Sequence, residues 1–398
     1  MVIRAIAVVG TGLIGTSIAL AASRRGVTVF LSDRDSVAAR TAAALGAGRA
    51  EAPAGPVDLA VLAVPPSQVG PVLAELQGRR FAHSYTDVAS VKSGPELAAL
   101  RHAPDPSRYV GGHPMAGREF RGPLAARADL FRGRPWALTP SHLTSDTALG
   151  RARELVAVCG AVPVVTQSQV HDDAVALTSH VPHLVASLMA ARLREGPDGV
   201  SRFAGQGLRD VTRVARGESA LWGDILQANA ASVVGVVRDL HTDLTRLVSA
   251  LDVLALSQTQ TQTQTQTQTR DAGERARAMG TLVDLLDRGI AGLSRIPAAP
   301  SGAPDDAHRL RVACDDAPGE LSRLLDAVSG FGVAADDMSV ESAHGALGGG
   351  LDVRFGADPA LADRLVAELV AGGWDAGREN GPGHGRREEG RVVPVVRT

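Results

Sequence analysis

Lysine is almost absent from this chain of 398 residues: of its 41 basic residues only Lys92 is a lysine, and the rest are arginine. A sequence that uses arginine wherever positive charge is wanted marks Lys92 as a position that either needs a compact ammonium or kept one by chance. Cysteine is equally scarce. The two present, Cys159 and Cys314, stand in different segments, which excludes a disulfide framework and a cysteine-based metal site. Charge of one sign is missing as well. A formal net charge of −2 leaves no electrostatic footprint for nucleic acid. No run reaches the ~18 apolar residues that span a bilayer, so no membrane partner is expected. The first residues, MVIRAIAVVGTGLIG, are apolar but interrupted by glycines, and no small-residue cleavage site follows. A signal peptide is therefore not expected, and a cytoplasmic location is. What remains is ordinary for a soluble globular protein, 44% apolar and 21% charged, with length for two or three domains at ~150 residues each.

Over residues 1–167, short β-branched runs alternate with helical spacing. IRAIAVV (3–9), VTVFLSD (27–33), VDLAVLAVPP (57–66), SYTDVA (84–89), RYVGGH (108–113), PWALTP (135–140) and AVPVVT (161–166) read as strands. That alternation implies an α/β doubly wound parallel sheet of the Rossmann type. From 168 to 295 the texture is helical, which reads as an all-helical domain. Inside it, SQTQTQTQTQTQT (257–269) repeats Gln-Thr six times. With no apolar face it cannot bury anything, and it reads as a flexible loop between two helices. A Pro/Gly/Ala linker at 296–307 leads to a third unit at 308–378. Its order β-α-β-β-α suits a ferredoxin-like α+β sandwich. The tail, 379–398, is Gly, Pro and charge and reads as disordered.

The strongest single motif is Gly10-Thr11-Gly12-Leu13-Ile14-Gly15, between a strand and a helix. Gly10 permits the tight turn, Gly12 lets backbone approach a pyrophosphate, and Gly15 lets helix and strand pack closely. Asp33 ends the second strand, where a carboxylate accepts from ribose hydroxyls and repels a 2′-phosphate, favouring NAD over NADP. Arg34 beside it is a cation that attracts such a phosphate. Thr86-Asp87-Val88-Ala89-Ser90-Val91-Lys92 follows a strand at the carboxyl edge of the sheet. There Ser90 can hydrogen-bond a reacting group and Lys92 can hold an anion or fix the loop; alternatively Asp87 or Ser90 caps the next helix. Gly111-Gly112-His113-Pro114-Met115-Ala116-Gly117-Arg118-Glu119 also lies just past a strand. A loop imidazole such as His113 suits proton abstraction from a hydroxyl, or is simply solvated. Ser179-His180-Val181-Pro182-His183 puts two imidazoles three apart, to line a pocket or, with a third ligand not evident nearby, to hold a metal. Arg213 offers a planar fork for a carboxylate, or a surface salt bridge with Asp210.

Together these pieces resemble the prephenate/arogenate dehydrogenase family. The resemblance runs in order through GTGLIGTS, Asp33, VDLAVLAVPP, TDVASVK, HPMAG, SHVPH and GLRDVTRVA…LW…N, across roughly 1–295. It implies NAD-dependent oxidative decarboxylation of prephenate to 4-hydroxyphenylpyruvate, or of arogenate to tyrosine. It implies His113 as the base at the C4 hydroxyl and Ser90 hydrogen-bonding beside it. Arg213 would hold a substrate carboxylate, and Lys92, His180, His183, Glu119, Asp210 and Trp222 would bind or shape the substrate. Gly10, Gly12, Leu13, Ile14, Gly15, Asp33, Arg34, Val64 and Pro65 would hold the cofactor, with no metal. A homodimer is implied, with Asp210 and Arg213 able to reach the partner's pocket. DDAPGELSRLLDAVSGFGV (315–333) resembles an ACT domain, for which tyrosine is the first effector expected. Arg118 departs from the family, which often has Ser, Thr or Pro there. Two rival readings are another NAD-dependent hydroxyacid dehydrogenase and a non-catalytic NAD or amino-acid sensor, the latter disfavoured by the intact Ser90, His113 and Arg213.

Overall fold

The computed structural model describes residues 3–116, 122–259, 268–296, 308–315, 317–331, 338–342, 350–357 and 359–378. Arg118 and Glu119, the middle of the Gln-Thr repeat, most of the linker and the tail lie outside these residues. The chain divides into two compact units, Met1–Ile290 and Ala291–Thr398.

The first unit begins with the expected alternation: β1 (Ala5–Val9), α1 (Leu13–Arg24), β2 (Thr28–Ser32), α2 (Ser36–Ala44), β3 (Val57–Leu62), α3 (Pro66–Gly78), β4 (Ala82–Asp87), α4 (Ser93–His102), β5 (Tyr109–Pro114), β6 (Pro135–Thr139), α5 (Asp146–Val158) and β7 (Val162–Val165). The sheet order is β2-β1-β3-β4-β5-β6-β7. The order reverses between β1 and β3, and a crevice opens at such a switch point. Beyond β2, Arg49 makes a single parallel bridge to Phe30, a stub where a third strand could have continued. The sheet is not wholly parallel, which corrects the sequence reading. β6 pairs antiparallel with β5. The connection after β5 starts at the carboxyl edge and shows no crossover helix among its described residues, in keeping with a return in the opposite sense. β7 then runs parallel to β6. Two apolar clusters fill the sheet faces. One centres on Ile6, Val8, Ile18, Leu59, Val61 and Trp136, the other on Ala60, Leu62, Leu73 and Tyr85.

The helical part follows: α6 (Ser168–Val175), a π turn at Ala176–His180, α7 (Val181–Glu195), α8 (Gln206–Arg213), a 3-10 turn at Val214–Arg216, α9 (Ser219–Ala228), α10 (Ala230–Thr259) and α11 (Gln268–Leu293). Helix extends into the Gln-Thr repeat from both sides, to Thr259 and from Gln268. The repeat is thus not loop throughout, because flanking helices propagate into a segment that is neutral toward helix. Among the described residues, one continuous helical run, Ser168–Glu195, has the length and apolar content of a membrane span. The sequence reading took this stretch as helical but found no unbroken apolar run in it, because polar and titratable residues interrupt it. It carries buried His171, Asp172, His180 and His183, which are groups that need polar partners.

In the second unit, β8 (His308–Asp315), α12 (Glu320–Ser329), β9 (Met338–Ser342), β10 (Gly350–Ala357), α13 (Pro359–Ala371) and β11 (Asp375–Arg378) form a four-stranded antiparallel sheet of order β11-β8-β10-β9. β11 completes the ferredoxin-like pattern. Its sequence, DAGR, has no apolar alternation to announce a strand. Leu310, Val312, Leu324, Val353, Phe355 and Leu365 form the core.

Lys92 is explained by packing. It is 1% exposed, on the corner between β4 and α4. Its ammonium donates to the Asp87 carboxylate, which also accepts from the Ala89 amide at 2.7 Å and from the Tyr109 hydroxyl. Burial pushes the Lys92 pKa down while Asp87 pulls it up. A Cβ on Gly111 would stand 3.2 Å from the Lys92 stem and 2.3 Å from Thr139 Oγ1. A thin ammonium fits this channel, whereas a planar guanidinium is wider. This corrects the placing of Lys92 among substrate contacts, since it is sealed beneath the sheet edge. Lys92→Met should destabilise the fold by about 3 kcal/mol, the low end for breaking a buried pair because Asp87 keeps two donors. Urea unfolding measures this, and a cost below about 1 kcal/mol would return Lys92 to chance.

Candidate active site

At the β1–α1 turn, Gly10 has φ +100° and a Cβ there would lie 2.1 Å from the Ala63 carbonyl oxygen. Only glycine closes this turn. A Cβ on Gly12 would meet nothing within 4 Å, so the turn is open on the side a phosphate must approach. α1 has no side-chain cap and no acid in its first turn, which leaves its amide end for an anion. Asp33 ties the turn to β2. Its carboxylate accepts from the Thr11 amide at 2.6 Å, the Thr11 hydroxyl at 3.0 Å and the Asp35 amide at 2.9 Å. A carboxylate with about four acceptor sites has capacity left for a ribose. Two cavities meet over Ala63-Val64-Pro65. One, of about 920 Å³, is lined by Gly10, Asp33, Arg34 and Arg40. The other, of about 840 Å³, is lined by Gly12, Leu13, Ile14, Ser90, His113, His180, Arg216 and Trp222. A cradle continuous with two chambers fits an extended dinucleotide.

His113 ends β5 in the second chamber. A Cβ on Gly112 would lie 2.6 Å from the Asp87 carbonyl oxygen, so glycine lets β5 seat against the end of β4 and fixes where His113 emerges. His113 Nδ1 is 2.9 Å from His171 Nε2, and His171 Nδ1 is 2.8 Å from Asp172 Oδ1. Asp172 also accepts from the Lys92 amide at 2.7 Å and the Ser93 amide at 2.8 Å. A carboxylate only accepts, so His171 carries its proton on Nδ1. With a neutral His171 ring, Nε2 accepts from His113 Nδ1–H, and His113 keeps its lone pair on Nε2. Burial, then His171, the Lys92 ammonium and His180, hold the His113 pKa well below its ordinary value. Sequence reading missed His171 and Asp172. The available signal was three adjacent titratable residues, His171-Asp172-Asp173 in QVHDD, on a helix entering directly after the last strand of the first sheet.

The opposite wall is helical. His183 stacks on Trp222 with centroids 3.6 Å apart, and His180 meets Trp222 edge to face at 6.1 Å. A Cβ on Gly217 would stand 2.0 Å from Trp222 Nε1, so this glycine lets the chain close over the stack. Asn229 Nδ2 lies 2.8 Å from the Asp172 carbonyl oxygen and 3.1 Å from His180 Nδ1. Burial lowers the His180 pKa to about 4, against the pull of Asp172, and also lowers that of His183. Asp210 and Arg213 do not line the chamber of their own chain. Both are exposed on or at the end of α8, and Asp210 accepts from Gln206 at 2.8 Å. The wall residue is instead Arg216, on the 3-10 turn three positions further along. Among the described residues, no group of three His, Cys, Asp or Glu is arranged to hold a metal, and His180 is engaged by Asn229.

A dinucleotide cradle at a sheet switch point, facing a helical wall with a buried histidine pair, defines a Rossmann-type dehydrogenase with a second, helical domain. The prephenate dehydrogenase nucleotide-binding domain family matches residues 18–165, and the prephenate dehydrogenase dimerization domain family matches 167–265. This chain belongs to the prephenate dehydrogenase family. It is 42% identical to "Probable prephenate dehydrogenase NovF" of Streptomyces niveus, over 94% of this chain and 99% of that protein. It is 27% identical to a prephenate dehydrogenase of Bacillus subtilis, over 90% and 93%. Among solved structures, Synechocystis arogenate dehydrogenase superposes with a TM-score of 0.53 at 25% identity, covering 69% of this chain and 99% of that one. The Aquifex aeolicus prephenate dehydrogenase in complex with hydroxyphenyl propionate and NAD+ shares the fold, with a TM-score of 0.59 at 23% identity over 73% and 99%.

His113 and His180 both have folded pKa values below that of a free imidazole. Below pH ~6.5 the unfolded chain binds more protons than the native one, so stability falls as pH drops. Each ring contributes up to about 1.4 kcal/mol per pH unit between the free value and its own folded value. Urea midpoints should therefore decline from pH 7 to 5, before carboxylates titrate. A flat midpoint would show that these rings charge without cost.

Proposed function

We propose that this chain is an NAD-dependent prephenate dehydrogenase, converting prephenate to 4-hydroxyphenylpyruvate and CO₂. The observation that carries the reading is the Asp172–His171–His113 chain ending on the chamber that adjoins the Gly12 cradle. Gly10, Gly12, Leu13, Ile14, Gly15, Val64 and Pro65 would hold the cofactor, with Asp33 on the adenosine ribose and Arg34 at its rim. When bound, NAD supplies the hydride acceptor.

The roles of the side chains follow from their geometry. Nε2 of His113 accepts the hydrogen bond of the C4 hydroxyl and takes its proton as C4 is oxidised. Its low pKa keeps the ring neutral and ready, and the hydroxyl becomes acidic enough during oxidation for a weak base to suffice. His171 and Asp172 orient the ring and support the charge it acquires. Ser90, half-buried on the same chamber wall, hydrogen-bonds the hydroxyl beside His113. Loss of hydride at C4 and CO₂ at C1 creates an aromatic ring, which supplies the driving force. The product is a phenol, so the proton is returned and none is consumed overall. Trp222, backed by the stacked His183 ring, forms a flat wall for the substrate ring. Arg213 and Asp210 would act on the pocket of a second protomer, and Glu119, which lies outside the described residues, would shape the substrate pocket.

A homodimer goes with this reading. Its support is the family's dimerization domain and the exposed apolar residues of α10 and α11, among them Leu244, Val248, Leu251, Val283 and Leu286. A cytoplasmic location would go with this reading. The ferredoxin-like second unit would serve a regulatory role, with tyrosine as the first effector to test. A chain ending at Ser294 should then lose inhibition by tyrosine, and equal inhibition of both forms would place tyrosine in the active site.

Mixing the purified protein with NAD and prephenate should give NADH absorbance; no signal overturns the reading. His113→Asn should lower turnover by roughly 10²–10⁴-fold with NAD affinity kept. Turnover within a few-fold of the parent removes His113 from the mechanism.

A further inference from the structure

We propose that Asn229 locks His180 as a hydrogen-bond donor into the chamber, and that this donor selects a 2-keto-acid side chain on the substrate over its 2-ammonio counterpart. The inference rests on the dehydrogenase reading above and names the feature of the substrate that the helical wall reads.

The argument begins with an amide whose orientation is fixed. Asn229 is 4% exposed, and its Nδ2 lies 2.8 Å from the backbone carbonyl oxygen of Asp172. A carbonyl oxygen only accepts, so the NH₂ end must face it. The second N–H of the same NH₂ lies 3.1 Å from His180 Nδ1. That ring nitrogen must therefore accept, and in the neutral ring the proton sits on Nε2. Protonating Nδ1 would set N–H against N–H, so the geometry opposes the imidazolium. His180 is 1% exposed, and its Nε2 is buried with no hydrogen-bond partner among the described residues. The ring forms part of the chamber wall and meets Trp222 edge to face. The protein thus holds a pre-oriented donor, tautomer and all, that nothing among the described residues satisfies.

A buried donor left unpaired is costly, so the group that fills the chamber must bring an acceptor. The side chain of prephenate brings two, a keto oxygen and a carboxylate. Arogenate keeps the carboxylate but has an ammonium where prephenate has the keto group, and at that position an ammonium only donates. Donor against donor leaves both groups unpaired in a desolvated place. Sites built on such a polar contact discriminate far more strongly than apolar pockets do. His113 shows the opposite arrangement, a lone pair on Nε2 imposed by His171. The two rings so present a base to one end of the substrate and a donor to the other.

The experiment uses the full chain. With ¹⁵N-histidine labelling, His180 should show a protonated Nε2 and an imine-type Nδ1, unchanged between pH 8 and 5. Asn229→Asp, whose carboxylate accepts from Nδ1, should move the proton to Nδ1. Asn229→Ala, which removes the lock without reversing it, should give a mixture. Specificity constants for prephenate and arogenate are then compared. His180→Leu should lower the prephenate value about tenfold to a hundredfold, carried by KM. The arogenate value should change less, so the prephenate-to-arogenate ratio falls at least about tenfold; Asn229→Asp should lower the ratio in the same direction. The KM for NAD should stay within about threefold. A parent spectrum with Nδ1 protonated overturns the proposal. So does a ratio that stays within twofold in both variants, or a KM for NAD that rises as much as that for prephenate, which would give the donor to the cofactor. Absence of turnover with either substrate overturns the dehydrogenase reading instead, and the spectrum still decides the lock.

Discussion

The site depends on one carboxylate, Asp172, which is 1% exposed and sits at the start of the helical part. One oxygen accepts from the Lys92 amide and from His171, the other from the Ser93 amide, and its own backbone carbonyl holds Asn229. Four elements are pinned by this residue: the β4–α4 corner, β5 through His113, α6 itself, and the start of α10 just past Asn229. Burial alone would raise the Asp172 pKa, but His171 and the Ser93 and Lys92 amides reverse that and hold it below the usual value. The charge is thus kept inside the protein by its hydrogen bonds. Substituting Asp172 would at once free the sheet edge and untether His171 and His113, while Asn229, held by the backbone carbonyl, would keep its acceptor.

Beneath this lies a second buried charge pair, Lys92 with Asp87, sealed by Tyr109. Its Tyr109 hydroxyl is held well above its usual pKa by burial and by Asp87, so it remains a donor at every working pH. The pair has two effects at the surface above it. It fixes the corner whose amides hold Asp172, and its ammonium is one of the charges that depress the His113 pKa. A cation sealed inside the fold still influences His113, by keeping its ring neutral.

Much of this was legible in the sequence. All seven strands of the first sheet were marked by β-branched runs, and the cradle and His113 by glycine spacing. The reversal of β6 was not legible, because strand direction is set by the connection and leaves no mark on the composition of PWALT. β11 lacked an apolar alternation altogether. The relay through His171 and the lock through Asn229 pair residues 58 and 49 positions apart, and local spacing carries no information about such contacts. Lys92 was legible as an exception but not as a buried one. Rarity says that a side chain is special, while its role depends on which neighbours close around it. Arg213 illustrates the converse. A fork at the right spacing was visible, yet a 3-10 turn after α8 puts Arg216, rather than Arg213, on the chamber wall of the same chain.

The neutrality of the histidines settles how charge is distributed in the chamber. Burial lowers the pKa of His113, His180 and His183 alike, so near pH 7 none offers a positive charge to an anionic substrate. Among the described residues on the chamber wall, positive charge comes from Arg134 and Arg216, both exposed. Cations at a rim attract an anion by long-range field and leave its desolvation incomplete. That arrangement suits a substrate that must surrender one carboxylate as CO₂. A buried guanidinium clamped on the departing group would stabilise the ground state, in which the charge is localised, more than the transition state, in which it disperses. Inside the chamber the work is left to neutral, oriented groups: a lone pair at His113 and a proton at His180. In the proposed mechanism such groups would hold the substrate in place without stabilising the charge that the reaction has to remove.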